Sequence, residues 1–248
     1  MFYVLLFFVG VLAGFMNTLA GGGSVLVLPV LILSGIPSPI ANATNRVGIL
    51  IQNITGSYNF HKHQILDVKP VFHITIAAVL GAIIGSFFAV KPSSEIFDKI
   101  IGIVFLFILF IMLRPHKLKN RFTKVLPKWL EFLIFLLVGL YGGFIQAGVG
   151  FIFLATLNLI EEFSLIKANA VKVFIIMCYT FFAVLIFALN GKIIWKYGLV
   201  LSAGNMIGAY IGVKAAIKKG EKFVKIVLSI AIIVACLKLF GIMKLFGL

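Results

Sequence analysis

Apolar residues run through the chain in ten stretches: 2–19, 24–35, 44–60, 70–90, 97–113, 130–147, 150–160, 168–189, 193–213 and 223–240. Short glycine-rich, polar or basic segments separate them. A helix needs about 17–25 apolar residues to cross a bilayer, and most of these stretches suit helices rather than barrel strands. The pattern predicts an all-α fold, a polytopic transmembrane helical bundle of eight to ten membrane segments. Stretches 24–35 and 150–160 are too short to cross unaided. Each follows a glycine-rich break, Gly21-Gly22-Gly23 and Gly148-Val149-Gly150. They read as half-helices, as re-entrant pieces, or as helices extended into their flanks.

Composition narrows the class. Of 248 residues, 62% are hydrophobic and only 12% charged, and the mean hydropathy is +1.19. A soluble domain carries about 25% charged residues, so neither an ordinary soluble enzyme nor a disordered chain fits. The net charge of +15 lies mostly in short loops between apolar stretches, where it sets orientation in a membrane. No nucleic-acid motif accompanies it, and no nucleic-acid partner is expected. Cys178 and Cys236 sit far apart inside apolar runs and read as packing residues. The start, Met1-Phe2-Tyr3-Val4, has no basic n-region and is expected to be a retained first membrane helix.

The chain also repeats itself. Residues 9–112 align with 138–240 at an offset of 126–129. Gly10, Gly14 and Phe15 meet Gly139, Gly143 and Phe144; Asn17 meets Gln146; Gly23 meets Gly150; Arg46-Val47 meets Lys172-Val173. Gly81, Ala82, Gly85 and Ala89 meet Gly208, Ala209, Gly212 and Ala216, and Phe97 meets Phe223. Two units are expected, 1–113 and 130–248, joined by a basic cytoplasmic linker over 114–129. An odd number of crossings per unit makes the second enter upside down, as in inverted-repeat transporters. The basic residues test this. With the linker inside, loops 61–69, 161–172 and 214–225 also face inward, giving fifteen basic residues inside against seven outside. That bias predicts both termini outside. Arg46 and Lys172 are borderline, since each can lie within the membrane.

Several residues are candidates for a site. The glycine series at 10/14, 81/85 and 208/212 let helices approach closely in lipid and read as structural. Backbone unwound at Gly21, Gly22, Gly23 and Ser24, and at Gly148 and Gly150, must be buried in protein or line a wet cavity. A helix starting there aims free N–H groups and its positive dipole end at an anion. Arg46 and Lys172 hold matched places near the start of the third segment of each unit. They read either as charges facing an oxyanion or as snorkelling anchors. Asn17 and Gln146 read as amide donors to the same ligand or as interhelical hydrogen bonds. The carboxylates Asp67, Glu95, Asp98, Glu131, Glu161, Glu162 and Glu221 all fall at segment ends or loops, which leaves no central proton relay. His73 reads as a packed interfacial histidine and His61-Lys62-His63 as a polar turn. No nucleotide-binding or nucleophile-elbow motif is present. No catalytic residue, metal or cofactor is expected.

The run from Gly14 to Ser24 followed by Leu28-Pro29, then Ala41–Arg46, then the echo over Gly143–Gly150, resembles the TauE/SafE family of sulfite and organosulfonate exporters. The likeness spans nearly the whole chain in two halves. It implies a multi-pass plasma (inner) membrane permease for small sulfur-containing anions, with an inverted-repeat fold. The matched segments carry over Asn17, Gly21–Ser24, Thr44, Asn45, Arg46, Gln146, Gly148, Gly150 and Lys172 as substrate-binding positions. Ala170-Val171 stands where the first half has Thr44-Asn45, so the two halves differ in hydroxyl donors. The expectation is a secondary exporter of sulfite or a sulfonate, with the lipid bilayer and a small anion as partners. The oligomeric state is left open, a homo-oligomer included. The alternatives are an importer of thiosulfate or another small anion on the same fold, and a membrane scaffold without cargo. A membrane-embedded enzyme ranks last.

Overall fold

The computed structural model describes residues 1–93, 95–100, 103, 126–161 and 163–239. The described elements are α1 (Phe2–Leu19), α2 (Ser24–Leu33), α3 (Ser38–Lys62), a 3-10 turn (Lys69–Val71), α4 (Phe72–Val90), α5 (Lys128–Phe144), α6 (Val149–Leu159), α7 (Leu165–Leu189) and α8 (Trp195–Leu239), which kinks at Gly220. Residues 95–100 are also helical. Most of the expected stretch 97–113 and of the linker 114–129 lies outside the described residues, as does any boundary drawn there.

Helix directions follow from side-by-side residues. Gly10 lies against Leu201 and Gly204, Gly14 against Asn205, and Gly212 against Phe15 and Thr18. Residue numbers rise together, so α1 and α8 are parallel. Gly48 of α3 meets Leu201 and Asn205, and Gly198 meets Thr44 and Val47, so α3 shares that direction. In the other half, Gly81 meets Leu136 and Leu140, and Gly85 meets Leu140 and Phe144, which makes α4 and α5 parallel. The Asn42 side chain donates to the Phe144 carbonyl. The start of α3 is therefore level with the ends of α4 and α5, and α5 runs opposite to α3 and α1. Arg46 stacks on Phe187 while Gly56 meets Val173, so α3 and α7 are antiparallel.

Two conclusions follow. α1 and α5 begin corresponding units and point in opposite directions, so the repeat is inverted. α1 and α3 share a direction, so α2 between them returns the chain to the end where α1 began. The α1–α2 segment is thus a re-entrant hairpin, and by the same relation so is α5–α6. At 10 and 11 residues, α2 and α6 span about 15–17 Å, half of a roughly 30 Å apolar core. This settles the alternatives that segment length left open.

Exchanged packing holds the halves together. The first helix of each unit packs along the fourth segment of the other, α1 on α8 and α5 on α4. Small residues line both seams. A Cβ at Gly81 would run into the Leu136 carbonyl, and one at Gly143 into the Ala82 carbonyl. Such contacts gain dispersion energy where lipid supplies no hydrophobic drive. Large apolar side chains meanwhile face outward, among them Phe8, Leu12, Leu80, Phe87, Leu137, Phe181, Leu185 and Leu199. That surface suits hydrocarbon.

Gly81→Ala and Gly143→Ala should each cost about 1–3 kcal/mol through overpacking. Gly56→Ala, whose Cβ would meet Val173 at 3.6 Å, should leave the melting temperature unchanged or slightly raised. Thermal unfolding in detergent checks this; equal melting temperatures for all three variants would contradict the seam geometry.

Candidate functional site

Both hairpins end inside the protein, and the tips touch. Gly21 and Gly148, 127 residues apart, adopt left-handed backbone with φ of +94° and +74°, which only glycine takes without strain. Gly21 lies directly on the backbone of Gly150, so a Cβ on either would enter the other's main chain. α2 and α6 start at this junction. Among the described residues, the N–H groups of Gly22, Ser24, Gly148 and Gly150 find no acceptor.

The carbonyls ending α1 and α5 are unsatisfied by their own helices, and buried cations satisfy them. Lys172 Nζ donates to Asn17 O (2.8 Å), Thr18 O (3.2 Å) and Asn169 Oδ1 (2.7 Å). Arg46 Nη1 donates to Gly142 O (2.6 Å) and Gln146 Oε1 (2.9 Å), and Nη2 to Gly143 O (2.8 Å). Both side chains are 0% exposed. They occupy equivalent positions, and each caps the hairpin of the opposite unit. Positive charge at a helix C-terminus also opposes the negative dipole end. The expectation that these cations face the cargo meets a different geometry. Their protons point at helix carbonyls and at the Gln146 and Asn169 side-chain oxygens, and Asn42, Ser86 and Asn169 donate to the neighbouring carbonyls of Phe144, Gly143 and Leu19.

The amide side chains occupy the junction itself. Asn17 Oδ1 accepts the Gly23 N–H (2.6 Å), and Asn17 Nδ2 donates to Gln52 Oε1 (3.0 Å). Gln146 Oε1 accepts from Arg46 and from the Tyr179 hydroxyl (3.1 Å). A small hollow opens between the tips, lined by Asn17, Gly21, Ile49, Gln52, Asn53, Gln146, Val149, Gly150 and Ile176. It is on the scale of one water molecule. Four candidates, Asn17, Gly21, Gln146 and Gly150, line it. Arg46 and Lys172 do not; they lie one hydrogen bond behind it, Arg46 through Gln146 and Lys172 through the Asn17 carbonyl.

The other candidates brace the hairpins. Gly22 lies under the Phe151 ring and Gly23 against Ala13 and Asn17. Asn45 Nδ2 donates to Ser24 Oγ (3.1 Å), and Thr44 Oγ1 accepts the Ile194 N–H (3.0 Å). Gly148 caps α6. Sequence reasoning passed over Gln52, Asn53, Asn169 and Tyr179. One signal was available: α3 carries Ser38, Asn42, Asn45, Arg46, Gln52, Asn53 and Ser57 on one buried face, at the three- and four-residue spacing of a helix. Taken as an apolar stretch over 44–60, that polar stripe goes unseen.

Paired broken hairpins in an inverted all-helical bundle point to a class, the membrane transporter. Comparison with known proteins agrees. The chain belongs to the family described as Sulfite exporter TauE/SafE, which matches residues 6–239. It is 29% identical over 223 residues to a "Probable membrane transporter protein" of Haemophilus influenzae, covering 89% of this chain and 88% of that one. It is 27% identical to "Probable membrane transporter protein YfcA" of Escherichia coli K12 (94% and 88% covered). To "Probable membrane transporter protein ORF9" of a Sinorhizobium species it is 25% identical (94% and 90% covered). No solved structure matches. The protein is a multi-pass membrane transporter.

Lys172→Met and Arg46→Met should each destabilise strongly: the first strands the Asn17 and Thr18 carbonyls and the second the Gly142 carbonyl, while Gly143 O keeps the Ser86 hydroxyl, at about 1–3 kcal/mol per stranded group. Lys172→Arg should recover much of the loss. Melting temperatures in detergent check both; wild-type stability of the two Met variants would remove the capping role.

Proposed function

We propose that the protein is a secondary carrier exporting a small sulfur oxyanion, sulfite or an organosulfonate, and that the cargo binds where the hairpin tips meet. The observation that carries this reading is the convergence at one hollow of two helix N-termini, their free amides and the Asn17, Gln52 and Gln146 side chains. Amide donors and positive dipole ends suit an oxyanion. Among the described residues, no carboxylate lines the hollow. Arg46 and Lys172 supply positive potential from behind Gln146 and Asn17, while Gly22, Ser24, Gly148 and Gly150 present backbone amides and Gly21 and Gly23, whose N–H groups are taken by Met16 O and Asn17 Oδ1, shape the tip. Thr44 and Asn45 hold α3 against the hairpins. Sulfur chemistry of the cargo rests on the family description.

The hollow is smaller than sulfite, so cargo is admitted when the halves part. In this scheme units 1–113 and 130–248, linked through a cytoplasmic 114–129, rock about the exchanged seams and open the site to each face in turn. Along α3, Ser38 Oγ, Asn42 Oδ1, Asn45 Oδ1, Asn53 Oδ1 and Ser57 Oγ are buried without hydrogen-bond partners among the described residues. Such a stripe suits the wall of a polar path that opens during the cycle. With both termini outside in the inner membrane, anion exit from a negative-inside cell gains about 2.3 kcal/mol per charge per 100 mV. Efflux then needs no coupled ion.

Flux from loaded proteoliposomes tests the proposal. Asn17→Leu and Gln146→Leu each remove a hydrogen bond to a charged ligand, about 1.5–3 kcal/mol, and should slow sulfite or alkylsulfonate efflux at least tenfold. Wild-type flux in both variants would place the cargo elsewhere. Absence of sulfite and sulfonate flux in the wild type would reject the cargo class.

A further inference from the structure

A second cluster lies away from the hairpin tips, where α4 and α5 begin and α6 ends. His73 is the second residue of α4, Glu131 lies in the first turn of α5, and Glu161 follows α6 by two residues. One ligating atom from each lies within 4.8 Å of the other two. His73 Nε2 is 3.2 Å from Glu131 Oε2. We propose that His73, Glu131 and Glu161 form a binding site for a divalent first-row metal ion, with Zn²⁺ the best match.

Two further observations favour a cation over a simple ion pair. Glu161 Oε1 is shut off from solvent and has no hydrogen-bond partner among the described residues. Its carboxylate is half-buried beside Glu131, a like charge. The lysine that could neutralise it, Lys167, places its ammonium over the Phe163 ring at 4.3 Å. The only ion pairs among the described residues are His73–Glu131 and Lys99–Glu95, so Glu161 feels His73 and Lys167 only at a distance. One imidazole and two carboxylates form a borderline N/O set suited to zinc. Tetrahedral bonds of about 2.0–2.1 Å set ligand atoms roughly 3.3 Å apart. The His73–Glu131 spacing already has that value, and Glu161 needs a shift of about 1.5 Å, within side-chain reach. The His73 side chain is 41% exposed, which leaves a fourth position open to water. His73 comes from the first unit, and Glu131 and Glu161 flank the hairpin of the second. A bound ion therefore pins the outer end of α5–α6 to α4. The site does not depend on the cargo reading.

Zn²⁺ titration of the EDTA-treated, purified full chain in detergent tests this, read by calorimetry and melting temperature. One equivalent should bind and raise the melting temperature by several degrees. Glu161→Gln should keep the metal-free melting temperature, or raise it, and weaken binding at least tenfold, as should His73→Gln. A His61→Gln/His63→Gln variant should bind like wild type. X-ray absorption of the wild-type zinc complex should show only N and O ligands, with an imidazole signature. That readout stands even if a variant does not fold. No stoichiometric binding to wild type would overturn the proposal, as would binding that survives Glu161→Gln and His73→Gln but is lost with His61 and His63.

Discussion

A helix that stops inside an apolar medium leaves carbonyls and amides with no water to bind. That constraint organises this protein. α1 and α5 both stop within the bundle, and the cost of each end is offset by a buried cation from the opposite unit, Lys172 on Asn17 and Thr18, Arg46 on Gly142 and Gly143. A lone cation at the membrane centre costs about 2.5–3.5 kcal/mol. Several charge-assisted hydrogen bonds at roughly 1.5–3 kcal/mol each make the pairing favourable. Neither half can satisfy its own broken end, so the two units are obligatory partners.

The same exchange explains the seams and the junction. α1 lies on α8 and α5 on α4, each a helix of one unit against the other. Glycines bring those backbones into contact and hold the hairpin tips in register, and Gly21 can then rest on Gly150. What remains at the tips are the helix starts, which carry amides instead of carbonyls. The C-terminal ends are neutralised by fixed charge and the N-terminal ends keep free amides. In the proposed scheme the cargo meets positive potential with no charged side chain touching it.

Much of this was legible in the sequence. Segment lengths identified the membrane bundle, and the breaks at Gly21–Gly23 and Gly148–Gly150 marked the hairpin tips. The matched order of glycines, amides and cations revealed the duplication, and odd crossings with the basic-residue bias gave its inversion. Asn17 and Gln146, which line the hollow, stood out because each precedes a break at a matched position. Gln52 and Asn53 were not, because their signal is a face of α3 and not a motif. His73, Glu131 and Glu161 were read one at a time, since 58 residues separate the first two and no local spacing joins them.

The sequence by itself determined the medium, the helices, the duplication and the positions of the breaks, because hydrophobic length, glycine and proline act locally. Only the tertiary structure decided what the two cations do. A side chain's partner depends on which helix end arrives beside it, and those ends lie about a hundred residues or more away, in the other unit.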